Sequence, residues 1–196
     1  MPDTELDLNG TWEIDPAHSR FGFSAKHAMI STVRGSFNDV QGEFTANLDD
    51  LEASHVKIVL KAASIDTRSQ QRDDHLRSAD FFDVERFPDI TFTSTQVEEI
   101  HERAYIVTGD LTIRDVTKQI TVPLELGGVQ LDAFGQLRAG FEGSRRINRR
   151  EFGLEWNMPL DRGGVLVSEK IDLEFEISAI KKTDEGQDEQ QGEQQG

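Results

Sequence analysis

The chain lacks cysteine altogether, and it has one tyrosine and two tryptophans beside twelve phenylalanines. Without cysteine there is no disulfide framework, no thiolate chemistry and no cysteine-held metal. No apolar run approaches the roughly 20 residues that a membrane-spanning helix needs. The histidines, His18, His27, His55, His75 and His101, are scattered, with neither a His-Glu-x-x-His motif nor a pair four residues apart. They give no signal for a metal site. A nucleophile elbow, a Gly-rich phosphate loop and a dinucleotide fingerprint are also missing, so no catalytic residue is assigned. Positive charge is scarce: 21 Lys and Arg stand against 37 Asp and Glu, for a formal charge of −16. Such a field repels nucleic acid and opposes anionic membrane surfaces.

Residues 1–9 are acidic and carry no apolar stretch of the kind a secretory signal requires, which leads to the expectation of a flexible N-terminus on a cytoplasmic protein. Residues 183–196 contain no apolar side chain. A disordered acidic tail is expected there, because nothing in it can bury surface to offset the entropy of ordering.

What the chain has is period-2 alternation. In Lys170–Ile180 the side chains of Ile171, Leu173, Phe175, Ile177 and Ala179 share one face, while Asp172, Glu174 and Glu176 share the other. Seven further stretches alternate in the same way, marked by Phe21, Phe44, Ile58, Phe92, Val107, Val122 and Leu137. Asn47–Asp50, Arg114-Asp115 and Gly127-Gly128 read as turns between them. The pattern is lost between Phe141 and Val167, where a basic, Gly-containing crossover is expected. Gly42, Gly109 and Gly135 fall on apolar faces, where they relieve crowding or permit curvature.

Eight one-faced strands of similar length argue for an all-β protein, an eight-stranded antiparallel barrel, since closure removes exposed edges. Strands of about 11 residues, tilted by about 40°, make a barrel roughly 28 Å tall. Such an interior is either filled by side chains or holds one small ligand. The abundance of Phe, which has no polar handle, suits an ordinary dry core and a lipid-friendly cavity equally. Phe21, Phe23, Phe44, Phe92, Leu111, Leu137, Phe141, Phe175 and Ile177 are the expected inner face.

One piece breaks the β pattern, a short helical insert near residues 70–86, rich in aromatics: Arg72-Asp73-Asp74-His75-Leu76-Arg77-Ser78-Ala79-Asp80-Phe81-Phe82, continuing to Phe87-Pro88. Adjacent helical residues point about 100° apart, so Asp74 cannot readily orient His75. Asp73 and Arg77, four apart, read as a surface ion pair. Phe81, Phe82 and Phe87 read as anchors that pack the insert onto the barrel. His27 runs in phase with Phe21, Phe23 and Ala25 and so faces a barrel mouth. Arg145-Arg146-Ile147-Asn148-Arg149-Arg150 is a local basic cluster. Its Arg145 and Arg146, with His27, are candidates for holding an anionic head group, although pairing with neighbouring acids such as Glu142 and Glu151 explains them too.

His75-Leu76-Arg77-Ser78, Asp80-Phe81-Phe82-Asp83-Val84, Phe87-Pro88 and Phe92 together resemble the YceI-like family of polyisoprenoid-binding proteins. Trp12-x-x-Asp15 with His18-Ser19 fits it as well. So do Gly109-Asp110-Leu111-Thr112-Ile113 with Val116-Thr117-Lys118, and Arg150-x-Phe152-Gly153 with Trp156. The similarity spans about residues 10–181, which makes 10–182 the expected barrel. The resemblance implies a lipocalin-like barrel holding an isoprenoid or other long-chain lipid in a hydrophobic tunnel, with no other cofactor. It implies no enzymatic activity. Burial at roughly 25 cal/mol per Å² over several hundred Å² of prenyl surface would drive binding. Two rivals stay open. One is an enzyme acting on a small lipid or acid, which a cavity histidine with a carboxylate partner would favour, His27 or His18 being the candidates. The other is a packed-barrel interaction module. A homodimer is neither required nor excluded.

Overall fold

A computed structural model describes residues 7–183. It contains β1 (Gly10–Ile14), β2 (Arg20–His27), β3 (Ser31–Phe37), β4 (Val40–Ala46), β5 (His55–Lys61), β6 (Ile65–Asp66), one helix α1 (Gln70–Arg77), β7 (Asp89–His101), β8 (Ala104–Ile113), β9 (Val116–Leu131), β10 (Leu137–Asn148) and β11 (Val167–Lys181). The antiparallel order β1-β4-β5-β7-β8-β9-β10-β11 returns to β1, so the sheet closes. β2 and β3 continue the long strands begun by β1 and β4, because β2 pairs with β11 and with β3. The result is the expected closed eight-stranded antiparallel barrel, and all eight marker residues lie in its strands.

The break between β1 and β2 has a local cause. Pro16 opens a short 3-10 turn, and the Asp15 side chain accepts from the Ala17 N–H at 3.0 Å. Ser19 replaces the lost ladder by bonding Ser178 through its hydroxyl. β3 escapes a pattern search for a different reason. Its inward position Gly35 has no side chain, because a Cβ there would press on the Phe23 ring and on Thr67. The rest of the strand is mainly Ser, Thr and Arg.

Three expectations need correction. Gly127-Gly128 is not a turn, since β9 runs through it to Leu131 and answers it with a bulge at Gly140/Phe141. The turn is 132–136, which takes Gly135 out of the strand; Gly135 has φ +79. β10 persists to Asn148, so the crossover begins later than the loss of alternation suggests. Alternation fails there because β9 leaves β10 beyond the Gly143–Leu124 pair. Pro123 has no N–H to offer, and a Cβ on Gly143 would strike its carbonyl.

The two rims differ. At the termini rim the chain enters with β1 and leaves with β11, and the strands are joined by the compact segments 47–54, 102–103 and 132–136. The crossover rim carries the β2–β3 tip, the insert 62–88 and the crossover 149–166. Trp12 is fully buried near the first rim, stacked on Phe44 at 5.9 Å, and its Nε1 donates to the Leu8 carbonyl. Leu8 is itself buried, so order begins before the expected boundary at residue 10. Residues 1–6 of the expected flexible N-terminus and 184–196 of the expected tail lie outside the described residues.

Arg138 ties the same rim together, reaching Asp15 at 2.6 Å and Asp132 at 2.8 Å, while His18 Nδ1 meets Asp15 at 2.7 Å. Burial pushes the Asp15 carboxyl up, but bonds from Arg138, His18 and the Ala17 N–H outweigh it and hold it below its usual value. Asp132 is lowered chiefly by its bond from Arg138. At the crossover rim a second core gathers Phe81, Ile90, Leu111, Ile113, Phe152 and Leu154.

Candidate functional site

The inward faces of the strands do not fill the barrel. They enclose a cavity of about 610 Å³ that is lined by residues from both rims, Leu48 and Leu51 at one and Gln71 and Leu166 at the other. Phe21, Phe23, Phe44, Phe92, Leu111, Phe141, Phe175 and Ile177 line it. Leu137 does not; it begins β10 and packs on the core around Trp12. Space along the wall depends on small residues. Gly109 sits in the inward phase between Val107 and Leu111, and a Cβ there would collide with the Phe92 ring and the Thr93 carbonyl.

The polar lining residues are unevenly spread. Lys26, His27, Thr67, Ser69, Gln71, Arg72, His75, Thr91 and Arg149 belong to the crossover rim or its first strand residues, against Thr45, Ser54 and Tyr105 at the termini rim. They are held by α1 and the strands before it. Ser69 caps α1 by accepting from the Arg72 N–H. Asp73 is buried, and one of its oxygens accepts from both the N–H and the hydroxyl of Thr67. Arg72 then lies over the same residue, donating from Nε to Thr67 Oγ1 and from Nη2 to its carbonyl, both at 2.7 Å. Asp73 therefore does not pair with Arg77 as its spacing suggests. Arg77 meets Asp74 at 3.1 Å and donates to the carbonyls of Ala63 and Ile65.

Arg149 is 3% exposed and its guanidinium donates to three carbonyls, those of Ser168, Leu154 and Val167. Burial lowers its pKa from the ordinary arginine value. The cation staples the crossover to the start of β11 while also facing the cavity. Phe81 and Phe82 line this end. Phe82 meets Phe37 edge-on at 5.6 Å, and Phe81 meets Trp156 at 5.4 Å. Phe87 packs outside the cavity, under the guanidinium groups of Arg86 and Arg114.

A family model for the YceI-like domain matches residues 12–179, nearly the whole barrel. The chain belongs to the YceI-like family. Its relatives include the UPF0312 protein plu2095 of Photorhabdus laumondii, 38% identical over 177 residues, which are 90% of this chain and 88% of that one. Among solved structures, BcnA of Burkholderia cenocepacia superimposes with a TM-score of 0.74 at 22% identity, covering 84% of this chain and 98% of its own. A polyisoprenoid binding domain from Saccharophagus degradans gives a TM-score of 0.67 at 14% identity, covering 87% and 98%. At those identities the two structures speak for the fold.

The head-group candidates of the YceI-like barrel separate. His27 lines the cavity, at the end of β2. Arg146 does not reach it, because its register partner is Asp172 on the outer phase of β11, and the two form a fork at 2.6 and 3.0 Å. Arg145 is exposed in a shallow outer groove with Pro123 and Ser144, where β9 and β10 have parted. Arg72, Thr67 and Arg149 were not singled out for the cavity by sequence, since an arginine in the first turn of a short helix has no distinguishing pattern. His75 is the cavity histidine with a carboxylate partner: its Nε2 lies 2.8 Å from Asp80, and its ring is fenced by Trp156 at 4.6 Å and Phe81 at 5.2 Å. His18 has a partner but lies outside the cavity. Among the described residues no cluster of His, Asp and Glu could hold a metal, and no helix is long and apolar enough to cross a membrane.

Proposed function

We propose that this barrel binds a polyisoprenoid or similar long apolar lipid in its cavity, for carriage or storage rather than conversion. The observation that carries the reading is the cavity itself, an apolar interior reaching from rim to rim with its polar groups gathered at one end. A chain-like molecule with one polar terminus matches that distribution. The apolar tail would lie along Phe21, Phe44, Phe92, Phe141 and Phe175, and the head would rest near His27, Lys26, Gln71 and Arg72. The Saccharophagus relative named for polyisoprenoid binding supports the ligand class. The affinity would come from apolar area at roughly 25 cal/mol per Å², less the cost of ordering a flexible chain.

Native mass spectrometry of freshly purified protein tests this. A bound mass that organic extraction releases as an intact prenyl lipid is expected. Protein that carries no such mass, and takes up no polyprenol from detergent, overturns the reading.

A second reading, an enzyme acting on a lipid or small acid in the cavity, is favoured by the His75–Asp80 contact. In it Asp80 would orient the imidazole as a general base. Ligand recovered chemically unchanged after incubation with the protein, at the same rate of recovery in His75→Gln, removes that reading.

A further inference from the structure

The crossover rim carries an exposed apolar cap for which neither the barrel core nor the cavity has a use. At the β2–β3 tip Met29 is 64% and Ile30 87% exposed. Met158 and Val165 of the crossover are exposed as well. The two pieces are one surface, because Ala28 N–H donates to the Leu166 carbonyl at 2.7 Å and Leu166 N–H donates to Met158 at 2.9 Å. Met29 also reaches the backbone at Gly164. The tip is the three-residue turn 28–30, with Ala28 at φ +49 and Met29 at φ +64. Positive φ favours Gly, Asn or Asp, yet these positions hold an alanine and a methionine whose thioether lies along Gly164 and stays largely exposed.

This cap adjoins the cavity. His27 and Lys26, immediately before the tip, and Leu166 and Val167, immediately after Val165, all line it. It also has a charge of its own. Residues 16–38, which include the whole β2–β3 hairpin, contain no Asp or Glu but do contain Arg20, Lys26 and Arg34, in a chain with 37 acids. Arg20 is paired with Glu174. The Lys26 ammonium donates to the Thr32 hydroxyl, and Arg34 is exposed; neither has an acid bonded to it among the described residues. The acids nearest in sequence to the crossover half of the cap are Glu155 and Asp161, each three residues from Met158 and the second followed directly by Arg162, and Glu169, which Arg150 holds at 3.0 Å.

The net charge of −16 does not decide what this rim meets. Eight of the acids lie outside residues 10–181, in segments attached at the opposite rim. A barrel about 28 Å tall separates those points of attachment from the crossover rim by several screening lengths, since that length is about 8 Å at physiological salt. Phe134, Leu131 and Ile100 are also exposed, but they share the termini rim with Glu98, Glu99, Glu102, Asp49 and Asp50. Among the described residues, the crossover rim joins exposed apolar side chains, Lys26 and Arg34 without acid partners, and the polar mouth.

We propose that the crossover rim is a membrane-docking surface: Met29, Ile30, Met158 and Val165 enter the interface of a bilayer while Lys26 and Arg34 face its anionic head groups, setting the mouth against the lipid phase. The proposal rests on the lipid-binding reading above, because a carrier of a water-insoluble chain must collect it from a bilayer. Shallow insertion of apolar side chains joined to electrostatic attraction is the usual physics of such interfaces.

The full-length protein is sedimented with vesicles of phosphatidylcholine containing about a third phosphatidylglycerol, and with pure phosphatidylcholine. Binding to the anionic vesicles that weakens with salt is expected, with a roughly tenfold loss in Met29→Glu/Ile30→Glu and a smaller loss in Arg34→Glu. Ile30→Glu alone guards against misfolding, since that side chain is almost wholly exposed. Wild-type protein that stays in the supernatant, or variants that bind as wild type does, overturns the proposal. So does a wild-type dimer that ignores vesicles and becomes monomeric in Ile30→Glu, because a second copy then covers the cap. Loading each variant with a long-chain polyprenol from detergent separates the two readings. Retained mass in a variant that no longer binds vesicles supports docking, whereas no retained mass in the wild type means that the lipid-binding reading has failed.

Discussion

The two rims of this barrel are built on opposite plans. At the termini rim the joints are compact, the core is closed by Trp12 stacked on Phe44, and Arg138 draws Asp15 and Asp132 onto one guanidinium. At the crossover rim the insert and the crossover are long, the second core is partly borrowed from them, and most of the polar residues that line the cavity stand there. Stability is concentrated where the chain turns back at once, and chemistry where it wanders. A barrel keeps its strands in register with one end and uses the other.

The largest test of that contrast is Trp12→Ala. It empties a fully buried site and orphans the Leu8 carbonyl, and should cost about 4 kcal/mol in urea unfolding. Phe81→Ala, at the other rim, should cost about 3 kcal/mol, because its site borders the cavity, but it should also speed exchange of a bound polyprenol. Equal exchange rates in the two variants would dissolve the distinction between scaffold rim and working rim. Asp73→Ala leaves the Thr67 N–H and hydroxyl without their acceptor, and a loss of about 2 kcal/mol is expected. Hydrogen exchange should show that loss confined to residues near 65–77, with the termini rim unchanged.

The smallest effect is a matter of pH. Asp15 and Asp132 have folded-state pKa values below their unfolded ones. The stabilisation they supply is therefore present above the ordinary aspartate range and is lost as pH falls through their lowered values. Arg138→Gln should melt below wild type at neutral pH, and the gap between the two melting curves should close under acid conditions below the ordinary Asp value of about 3.9. A gap that is constant with pH would mean that the network contributes only packing.

Much of the fold was legible because a half-buried strand writes its face into the chain at every second residue. β11 shows this in Ile171, Leu173, Phe175 and Ile177 against Asp172, Glu174 and Glu176. The reading failed where that code is interrupted. Gly35 leaves an inward position blank, so β3 is silent, and Gly127-Gly128 imitates a turn inside a strand that merely bulges. On the apolar wall the inward phase of Phe21, Phe23, Phe44 and Phe175 was legible in the same alternation. The polar end of the cavity was not, because Thr67, Arg72 and Arg149 are placed by a helix cap, a buried carboxylate and three backbone carbonyls. Periodicity carries none of that information. Arg145 and Arg146 drew notice by composition, yet register turned Arg146 outward to Asp172.

The seam between β1 and β11 sets an order of events. Trp12 stands opposite Lys181, and Ile14 opposite Ala179, so the first strand finds one of its two neighbours only in the last. While the chain is being synthesised, β1 has one unpaired edge until almost every other residue has emerged. The barrel cannot be completed piece by piece, and its closing contacts bring together residues about as far apart in the chain as the fold allows. Such pairings are slow to form, because the entropy of joining distant segments is lost before their contacts repay it. A nascent barrel of this kind is a sheet with two sticky margins, and its last fifteen-residue strand acts as the zip.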